Sequence, residues 1–386
     1  MDRVLQAELT DLDRQGLRRS LREVSSVQSR EIILDGLKVL NFCSNDYLGL
    51  ASDHRLVAAA ALVAEQRGFG AGASRLVCGH SDEHAALERE IAALKGTEAA
   101  ILFSSGYMAN VGIIPALVGR EDAVFSDRLN HASIVDGMVQ SRAQIKRYPH
   151  NDMAALEAML SEAGKFRRKL IVTDTVFSMD GDIAPLKELT VLAKRHQAWL
   201  MVDEAHAFGL FGASGSGMAE EAGVAADVDI QMGTLSKAAG SFGAYAAGSR
   251  VLVDHLLNSA RSVVFTTALP PSVAAASRAA LGIIRSEPGR RQHVLASAAF
   301  LRRELRALGL NVPEGVTPII PVILGEAGPA IAWSKALLEK GIFVSAIRPP
   351  TVPAGTARLR VTVTAAHTDA DLERCLNVFK EVMSHE

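Results

Sequence analysis

The chain has 386 residues, of which 48% are apolar and 22% charged, and its formal net charge is −2. That length and apolar content allow one large and one small domain. The near-neutral charge gives no electrostatic basis for binding nucleic acid or an anionic membrane, and no apolar run approaches the ~20 residues that span a bilayer. Cys43, Cys78 and Cys375 lack metal-ligand spacing, and the charged N-terminus has no apolar signal region. We therefore expect a cytoplasmic protein without disulfides, a metal site or a membrane segment.

Residues 1–45 predict an N-terminal arm made of a helix and a hairpin. Apolar side chains recur at near-helical spacing over residues 2–20. Residues 31–42 alternate in polarity around Asp35-Gly36, a dipeptide typical of two-residue hairpin turns.

From residue 46 to about residue 270, apolar strands alternate with helices. The predicted strands are Ala99–Phe103, Ala123–Ser126, Lys169–Thr173, Trp199–Asp203, Asp229–Gly233 and Gly243–Gly248, and the predicted helices include 107–118, 132–140, 152–163 and 185–197. This alternation predicts an α/β domain with a mainly parallel sheet covered by helices on both faces. Such sheets bind their ligands at the carboxyl ends of the strands.

After Pro270-Pro271 the pattern changes to a smaller α+β domain, which we assign to residues 271–386. The predicted helices there are 272–285, 290–308, 329–340 and 368–384, and the predicted strands are 318–323, 342–346 and 357–363.

Asp203 ends a buried strand and begins the sequence Asp-Glu-Ala-His206. An isolated aspartate at this position is most often an ordinary capping residue. The tetrapeptide Asp-Glu-Ala-His also occurs in helicases driven by nucleotide hydrolysis. Nucleotide binding in such proteins needs an upstream Gly-x-x-x-x-Gly-Lys-[Ser/Thr] loop. The only similar dipeptide, Gly164-Lys165, is followed by Phe166 and has no glycine at the required spacing before it. The nucleotide-motor hypothesis therefore fails.

Lys237 lies roughly thirty residues later, in the uncharged run Met232–Gly240. Most lysines are solvated surface charges, but burial in such a run would lower the lysine pKa and free its amine. A strand-end carboxylate can hold the ring nitrogen of pyridoxal phosphate protonated, and a lysine in a later Gly/Ser/Thr-rich loop can bind its aldehyde. Asp203 and Lys237 together, in this order, predict a pyridoxal-phosphate site.

Three further segments are compatible with this site. Ser104–Asn110 follows a strand and opens a helix, so its backbone N–H groups form either an ordinary cap or an anion site. His131 lies near the next strand end, where an imidazole can stack on a ring. The glycine-rich run Gly68–Arg75 is either a flexible connection or a place of close backbone approach.

Five ordered motifs carry a family resemblance along essentially the whole chain. They are Asn41–Leu50, Phe177–Asp182, Val202–His206, Thr234–Lys237 and Arg348–Arg360. With them the chain resembles the α-oxoamine synthases, pyridoxal 5'-phosphate enzymes of the aspartate-aminotransferase fold (fold type I). Within this family, Ala346–Arg358 is most similar to the branch that condenses L-alanine with a pimeloyl thioester. The acyl group of that thioester is carried by coenzyme A or by an acyl carrier protein.

The resemblance implies roles for the cofactor-binding residues. Lys237 would carry the Schiff base, Asp203 would pair with the pyridine nitrogen, His206 would bond the phenolic oxygen, and His131 would stack on the ring and help hold the substrate. The remaining contacts to the ring and phosphate would come from Gly106, Tyr107, Ser178 and Thr234.

The resemblance also implies substrate contacts. Arg360 matches the arginine that grips the amino-acid carboxylate, with Arg358 as a competitor for that role, and a guanidinium suits this bidentate contact. Arg18 and Thr351 match positions near the acyl substrate, although Arg18 also fits a solvated helix face. Asp174 stands where relatives often carry glutamate.

The resembled family is dimeric, with active sites at the subunit interface, and Thr266 or Thr267 would reach the partner's phosphate. Two alternatives remain open. A sister enzyme would use glycine and another acyl-CoA with the same chemistry, and a non-catalytic protein of this fold would bind the cofactor without turnover.

Overall fold

The computed structural model describes residues 1–384. The helices are α1 (Asp2–Arg14), α2 (His54–Arg67), α3 (Asp82–Lys95), α4 (Gly106–Leu117), α5 (Ala132–Ser141), α6 (Met153–Ser161), α7 (Leu186–Arg195), α8 (Met218–Glu221), α9 (Arg250–Ser259), α10 (Arg261–Val264), α11 (Pro271–Ser286), α12 (Pro288–Ala307), α13 (Ala327–Glu339) and α14 (Asp369–Met383). A π-helical turn covers Arg75–Gly79 and a 3₁₀ turn covers Ala225–Asp227.

The strands, in chain order, are β1 (Glu31–Leu34), β2 (Leu37–Asn41), β3 (Ala99–Phe103), β4 (Ala123–Asp127), β5 (Gln144–Tyr148), β6 (Lys169–Asp174), β7 (Trp199–Asp203), β8 (Ile230–Thr234), β9 (Ala244–Gly248), β10 (Ile319–Gly325), β11 (Ile342–Phe343), β12 (Ser345–Ile347) and β13 (Ala357–Thr362).

The chain forms two compact units. The first unit contains residues 1–49, 179–181 and those from Gln292 onward, and the second contains residues 50–178 and 182–291. The domain boundaries predicted from the sequence, near residues 45 and 270, differ from these limits and stay a prediction. Within residues 1–384 no helix is both long enough and apolar enough to cross a membrane.

The second unit is built on one seven-stranded sheet with the order β3-β9-β8-β7-β6-β4-β5. Strands β5, β4, β6, β7 and β8 run parallel, and β9 is antiparallel to both β8 and β3. All residues of β3, β4, β8 and β9 are buried, as expected for strands covered on both faces. The α/β fold with a mainly parallel sheet is therefore confirmed.

This sheet places polar side chains along a single edge. The neighbouring parallel strands β4, β6, β7 and β8 end at Asp127, Asp174, Asp203 and Thr234. Asp174 and Asp203 are paired in the register of β6 and β7. The carboxyl ends of parallel strands are where ligands of such sheets bind, so this edge carries the candidate site.

The first unit contains two small sheets. β10, β13 and β12 form an antiparallel sheet, and β1, β2 and β11 form another. The predicted hairpin is confirmed: β1 and β2 pair across Asp35 and Gly36, which have φ of 49° and 81°. The single strand predicted over 342–346 is wrong, because the chain passes there from one sheet to the other. β11 pairs with β2, and β12 pairs with β13.

The N-terminal helix is shorter than predicted. It ends at Arg14, whereas the periodicity predicted a helix to residue 20. Gly16 adopts a left-handed φ of 64°, and the N–H of Leu17 bonds to the carbonyl of Leu12 at 2.8 Å. A left-handed glycine with such a bond is a common helix stop, so the apolar pattern extended beyond the helix itself.

Candidate active site

A cavity of about 210 Å³ opens at the carboxyl edge of the second unit's sheet. Its lining comes from the ends of β6, β7 and β8, from the loops after β4, β7 and β8, and from the first turns of α4 and α5. The lining residues are Gly106, Tyr107, His131, Ser133, Asp174, Asp203, Ala205, His206, Met232, Thr234, Ser236 and Lys237. Seven residues to which the sequence assigns cofactor roles lie in this set; they are Gly106, Tyr107, His131, Asp203, His206, Thr234 and Lys237.

Lys237 and His206 face each other in this cavity. The lysine Nζ lies 2.8 Å from Nε2 of the histidine, within hydrogen-bonding distance. His206 is held in the turn after β7, and Lys237 in the loop after β8, where the N–H of Gly240 bonds to the lysine carbonyl at 2.8 Å. Gly240 has a φ of 60°, and a Cβ at this position would lie 2.4 Å from the backbone of Leu50 and Ala51. Only glycine fits this turn without displacing backbone.

Asp203 is buried and fixed from two sides. Its Oδ2 accepts a hydrogen bond from Nδ2 of Asn110 at 2.8 Å, and its Oδ1 accepts one from the backbone N–H of Ala205 at 2.9 Å. Because both oxygens have donors, the carboxylate has one defined orientation at the base of the cavity.

Asn110 connects Asp203 with His131. The same Asn110 amide donates to Ser133 Oγ at 2.9 Å, and that hydroxyl lies 2.7 Å from Nδ1 of His131. The backbone N–H of Ser133 also donates to this Nδ1 at 3.2 Å. An N–H can only donate, so Nδ1 is the acceptor and the proton of the neutral ring lies on Nε2. Burial lowers the pKa of His131. The negative charge of Asp203 opposes this shift and the positive charge of Lys237 adds to it. The pKa is lowered on balance, and a lowered pKa favours the neutral ring.

Asp174 is a second buried carboxyl group beside Asp203. Its Oδ2 accepts the backbone N–H of His131 at 2.7 Å. Burial raises the pKa of Asp174 well above its usual value, and the negative charge of Asp203 raises it further. Two carboxyl groups at paired strand ends do not both ionise readily, so Asp174 gives up its proton less readily than an isolated aspartate does.

The N-terminus of α4 borders the same cavity. Gly106 and Tyr107 are its first two residues, whose N–H groups have no intrahelical partner, and Ser105 caps the helix by accepting the N–H of Met108 at 3.2 Å. Thr234 and Ser236 add hydroxyl groups to the lining. This arrangement of helix N-terminus and hydroxyls suits a phosphate group. The Tyr107 hydroxyl donates to Asp136 at 2.5 Å.

Four residues that the resemblance implicates are not part of this lining. Ser178 belongs to the second unit but does not line the cavity. Arg18, Thr351 and Arg360 belong to the first unit. There Arg348 donates to the carbonyl of Arg18 at 3.0 Å, so the segment containing Arg18 lies against the one containing Thr351.

Arg358 and Arg360 have different surroundings on β13. The Arg358 guanidinium is almost fully buried and forms an ion pair with Asp180. Arg360 is also buried, and it donates to the neutral oxygens of Asn45 at 3.1 Å and Tyr47 at 3.4 Å. Because Arg358 already neutralises a protein carboxylate, it is less suited to bind a second one from a substrate.

Sequence reasoning placed Asn110 in the helix-opening segment but gave it no role. The sequence did contain a signal for such a role. Asn110 is a polar residue within the largely apolar helix Gly106–Leu117, and its position four residues after Gly106 puts both on the same face of the helix. The ion pair between Lys95 and Glu204, whose side chains are both fully buried, also went unnoticed. Its partners are 109 residues apart, and no local pattern links them.

Comparison with known proteins agrees with this geometry. A family model for class I and II aminotransferases matches residues 38–379. The solved serine palmitoyltransferase from S. paucimobilis, which carries a bound pyridoxal-phosphate–myriocin adduct, superposes with a TM-score of 0.94 at 34% identity, covering 99% of this chain and 97% of that one. The fold is therefore that of the fold-type I pyridoxal-phosphate enzymes.

Other relatives narrow the assignment. The 8-amino-7-oxononanoate synthase of Geobacter sulfurreducens is 54% identical over 97% of both chains. The solved 8-amino-7-oxononanoate synthase from Francisella tularensis superposes with a TM-score of 0.79 at 30% identity, covering 90% of this chain and 98% of that one. The chain belongs to the class I and II aminotransferase family, and within it to the family of 8-amino-7-oxononanoate synthases.

Proposed function

We propose that this enzyme condenses L-alanine with a pimeloyl thioester to give 8-amino-7-oxononanoate for biotin biosynthesis. A carbon–carbon bond forms between the alanine α-carbon and the thioester carbonyl carbon, the carbon–sulfur bond breaks, and carbon dioxide leaves from the alanine carboxylate. The proposal is carried by the cavity in which Lys237 Nζ lies 2.8 Å from His206, beside Asp203 and His131. The acyl carrier is coenzyme A or an acyl carrier protein.

The donor set of the cavity fits pyridoxal phosphate. Lys237 offers an amine for an aldehyde, the doubly held Asp203 offers a carboxylate for a protonated ring nitrogen, and the α4 N-terminus with Thr234 offers N–H and hydroxyl groups for a phosphate. When bound, the cofactor supplies an electron-accepting ring that stabilises negative charge at the alanine α-carbon. Ser178 completes this proposed set from the turn after β6.

Lys237 is the proposed general base. Its amine removes the proton from the alanine α-carbon and returns a proton later in the cycle. His206 holds this amine by the 2.8 Å contact, which fixes the direction in which Nζ points. A defined position matters, because proton transfer requires the donor and acceptor atoms to be within hydrogen-bonding reach.

His131 is the proposed hydrogen-bond donor to the thioester oxygen. Its Nδ1 accepts from Ser133, so its Nε2 carries the ring proton, and the residue lines the cavity. Negative charge develops on the carbonyl oxygen when the carbon–carbon bond forms. A preorganised N–H directed at that oxygen stabilises the charge.

Substrate recognition is assigned to residues of the first unit. We propose that Arg360 binds the alanine carboxylate, since Arg358 is already paired with Asp180. Arg18 and Thr351 are proposed to contact the acyl chain or its carrier. Their segments are linked by the bond from Arg348 to Arg18 and by one from Arg19 to Thr351 at 3.3 Å.

We also propose that the enzyme is a homodimer that acts in the cytoplasm. Three phenylalanines of the second unit are strongly exposed, Phe69 at 76%, Phe242 at 52% and Phe265 at 70%. Exposed aromatic side chains are typical of subunit interfaces. Phe265 is next to Thr266 and Thr267, which would then reach the partner's phosphate.

The free, exposed thiol of Cys78 suits a reducing compartment.

The test is a matrix of steady-state rates with L-alanine, D-alanine, glycine and L-serine, each combined with pimeloyl-, acetyl-, succinyl- and palmitoyl-CoA. Thiol release should be fastest with L-alanine and pimeloyl-CoA. A preference for glycine would instead indicate a sister enzyme, and a preference for serine with palmitoyl-CoA would indicate the activity named for the serine palmitoyltransferase relatives. Cofactor binding without turnover of any pair would indicate a non-catalytic protein.

A further inference from the structure

His150 bridges two carboxylates beside the active site. It lies two residues after β5, and its Nδ1 is 3.0 Å from Oδ1 of Asp127 while its Nε2 is 2.6 Å from Oδ2 of Asp182. Its ring packs edge-on against Phe177, with the ring centroids 4.5 Å apart. Each ring nitrogen therefore faces a carboxylate oxygen, and an ionised carboxylate can accept hydrogen bonds but cannot donate them. Only a doubly protonated ring can donate to both carboxylates.

The Asp127 end of this bridge leads to His131. Besides His150, the Asp127 carboxylate accepts the backbone N–H of Leu129 at 2.8 Å and that of Asn151 at 2.8 Å. The first of these bonds shapes the loop that runs from β4 to His131. The Asp127 side chain is only 1% exposed, so water does not solvate its negative charge. These N–H donors and the His150 cation stabilise that charge instead.

Asp182, at the other end of the bridge, closes the turn that follows Ser178. Val176 and Ile183 form an isolated antiparallel bridge, and the N–H of Phe177 bonds to the carbonyl of Asp182 at 3.0 Å. The base of this turn is fixed to the active site, because the N–H of Thr175 bonds to the carbonyl of Asp203 at 2.9 Å. Holding Asp182 therefore holds the end of the segment that carries Ser178.

The charge of His150 follows from these partners. Burial lowers the pKa of this imidazole, but the hydrogen bonds and charges of Asp127 and Asp182 outweigh burial and raise the pKa to about 10. The carboxylates of Asp127 and Asp182 are the charged groups that face the ring. The neutral side chains against it are Phe177, by its ring, and Asn151, whose amide lies 3.3 Å from Nε2.

We propose that His150 is a positioning residue of this active site: as a cation between Asp127 and Asp182 it holds the loop before His131 and the turn after Ser178 in one arrangement. The assignment of His131 and Ser178 to the cofactor rests on the proposed function. The clamp itself rests only on the contacts of His150.

Hydrogen exchange in the cofactor-free protein tests the clamp directly. His150→Gln keeps hydrogen-bonding capacity but removes the charge, and we expect amide exchange about tenfold faster in residues 127–131 and 176–183, with the remainder of the sheet unchanged. The matched control is His54→Gln, because the His54 side chain is 90% exposed. Asp182→Asn should accelerate exchange in residues 176–183 but not in 127–131. Unchanged exchange in both segments, or an equal rise throughout the second unit, would overturn the proposal.

Cofactor titration separates this proposal from the proposed function. In His150→Gln we expect the Kd for pyridoxal phosphate to rise about tenfold and kcat to fall at saturating cofactor, while the KM for the thioester stays near its original value. Local acceleration of exchange in His150→Gln, together with a wild-type chain that takes up no pyridoxal phosphate, would leave the clamp standing and reject the function. Normal cofactor binding by the variant with wild-type exchange would reject the clamp and leave the function standing.

Discussion

The side-chain nitrogen of Lys237 lies 2.8 Å from Nε2 of His206, at the carboxyl edge of a buried, mainly parallel sheet. The two residues belong to loops after adjacent strands, β8 and β7. In the proposed function, Lys237 carries the reactive amine and His206 determines where that amine points.

Replacement of Lys237 by alanine should abolish product formation, with a fall in rate of about a thousandfold or more, because both the covalent attachment and the general base are lost. The measurement is thiol release with L-alanine and pimeloyl-CoA, together with mass spectrometry after borohydride reduction. The wild-type chain should gain the mass of the cofactor on the peptide that contains Lys237. The control is Lys165→Ala, since Lys165 lies outside the cavity, and turnover by Lys237→Ala at the wild-type rate would refute the role.

Replacement of Asn110 by alanine should weaken both the cofactor and the catalytic step. Asn110 donates to Asp203 at 2.8 Å and to Ser133 at 2.9 Å, so its loss removes a bond to a buried carboxylate, a change typically worth about 1.5–3 kcal/mol. We expect the Kd for pyridoxal phosphate, measured by fluorescence quenching, to rise about tenfold or more. Asn258→Ala is the matched control, because the Asn258 amide bonds to the carbonyl one turn earlier on the exposed face of α9. Equal affinities of the two variants would contradict the account.

The outcome for the fold shows what local sequence patterns contain. The strands Ala99–Phe103 and Trp199–Asp203 are predictable to the residue, because a polar residue limits each apolar run, Ser104 directly after the first strand and Asp203 at the end of the second. β5 (Gln144–Tyr148) was missed, since it is the edge strand and its exposed polar residues break the apolar pattern. The helix end at Arg14 was missed because apolar periodicity was given more weight than Gly16.

The outcome for the site follows the same rule. Asp203, His206 and Lys237 line one cavity, as the sequence predicts, because Asp203 ends a strand, the other two follow strands, and parallel strands bring their ends together. The contacts between Lys95 and Glu204 and between His150 and Asp182 join residues that are 109 and 32 positions apart. Such pairings form only in the packed structure, so neither the residue types nor their spacing in the sequence predicts them.

The stability of the cofactor-free protein should depend on pH through His150. A histidine whose folded pKa is raised from 6.5 to about 10 contributes stability that is complete below pH 6.5 and lost as the pH rises through 10. The free energy of unfolding of the wild type should therefore exceed that of His150→Gln most at pH 6, and the difference should disappear by about pH 10.5. Urea unfolding at a series of pH values measures this. A difference that does not depend on pH would contradict the charged clamp.

The buried pair of Lys95 and Glu204 should be strongly coupled. Both side chains are fully buried, and Glu204 follows Asp203 directly. Lys95→Met or Glu204→Leu alone leaves an unpaired buried charge and should cost about 3–5 kcal/mol, whereas the double variant should cost clearly less than the sum. Lys340 and Glu381 form a partly exposed pair, for which each loss should cost below about 1 kcal/mol. Additive losses at the buried pair, measured by chemical unfolding, would argue against coupling.

Isotopically labelled alanine gives the sharpest test of the proposed condensation. The purified protein is incubated with pyridoxal phosphate, pimeloyl-CoA and L-alanine labelled with ¹³C at either the carboxyl or the methyl carbon, and the products are analysed by mass spectrometry. The account predicts 8-amino-7-oxononanoate that retains the methyl label and has lost the carboxyl label as carbon dioxide. A product that retains the carboxyl label, or release of free thiol without a product derived from alanine, would contradict it.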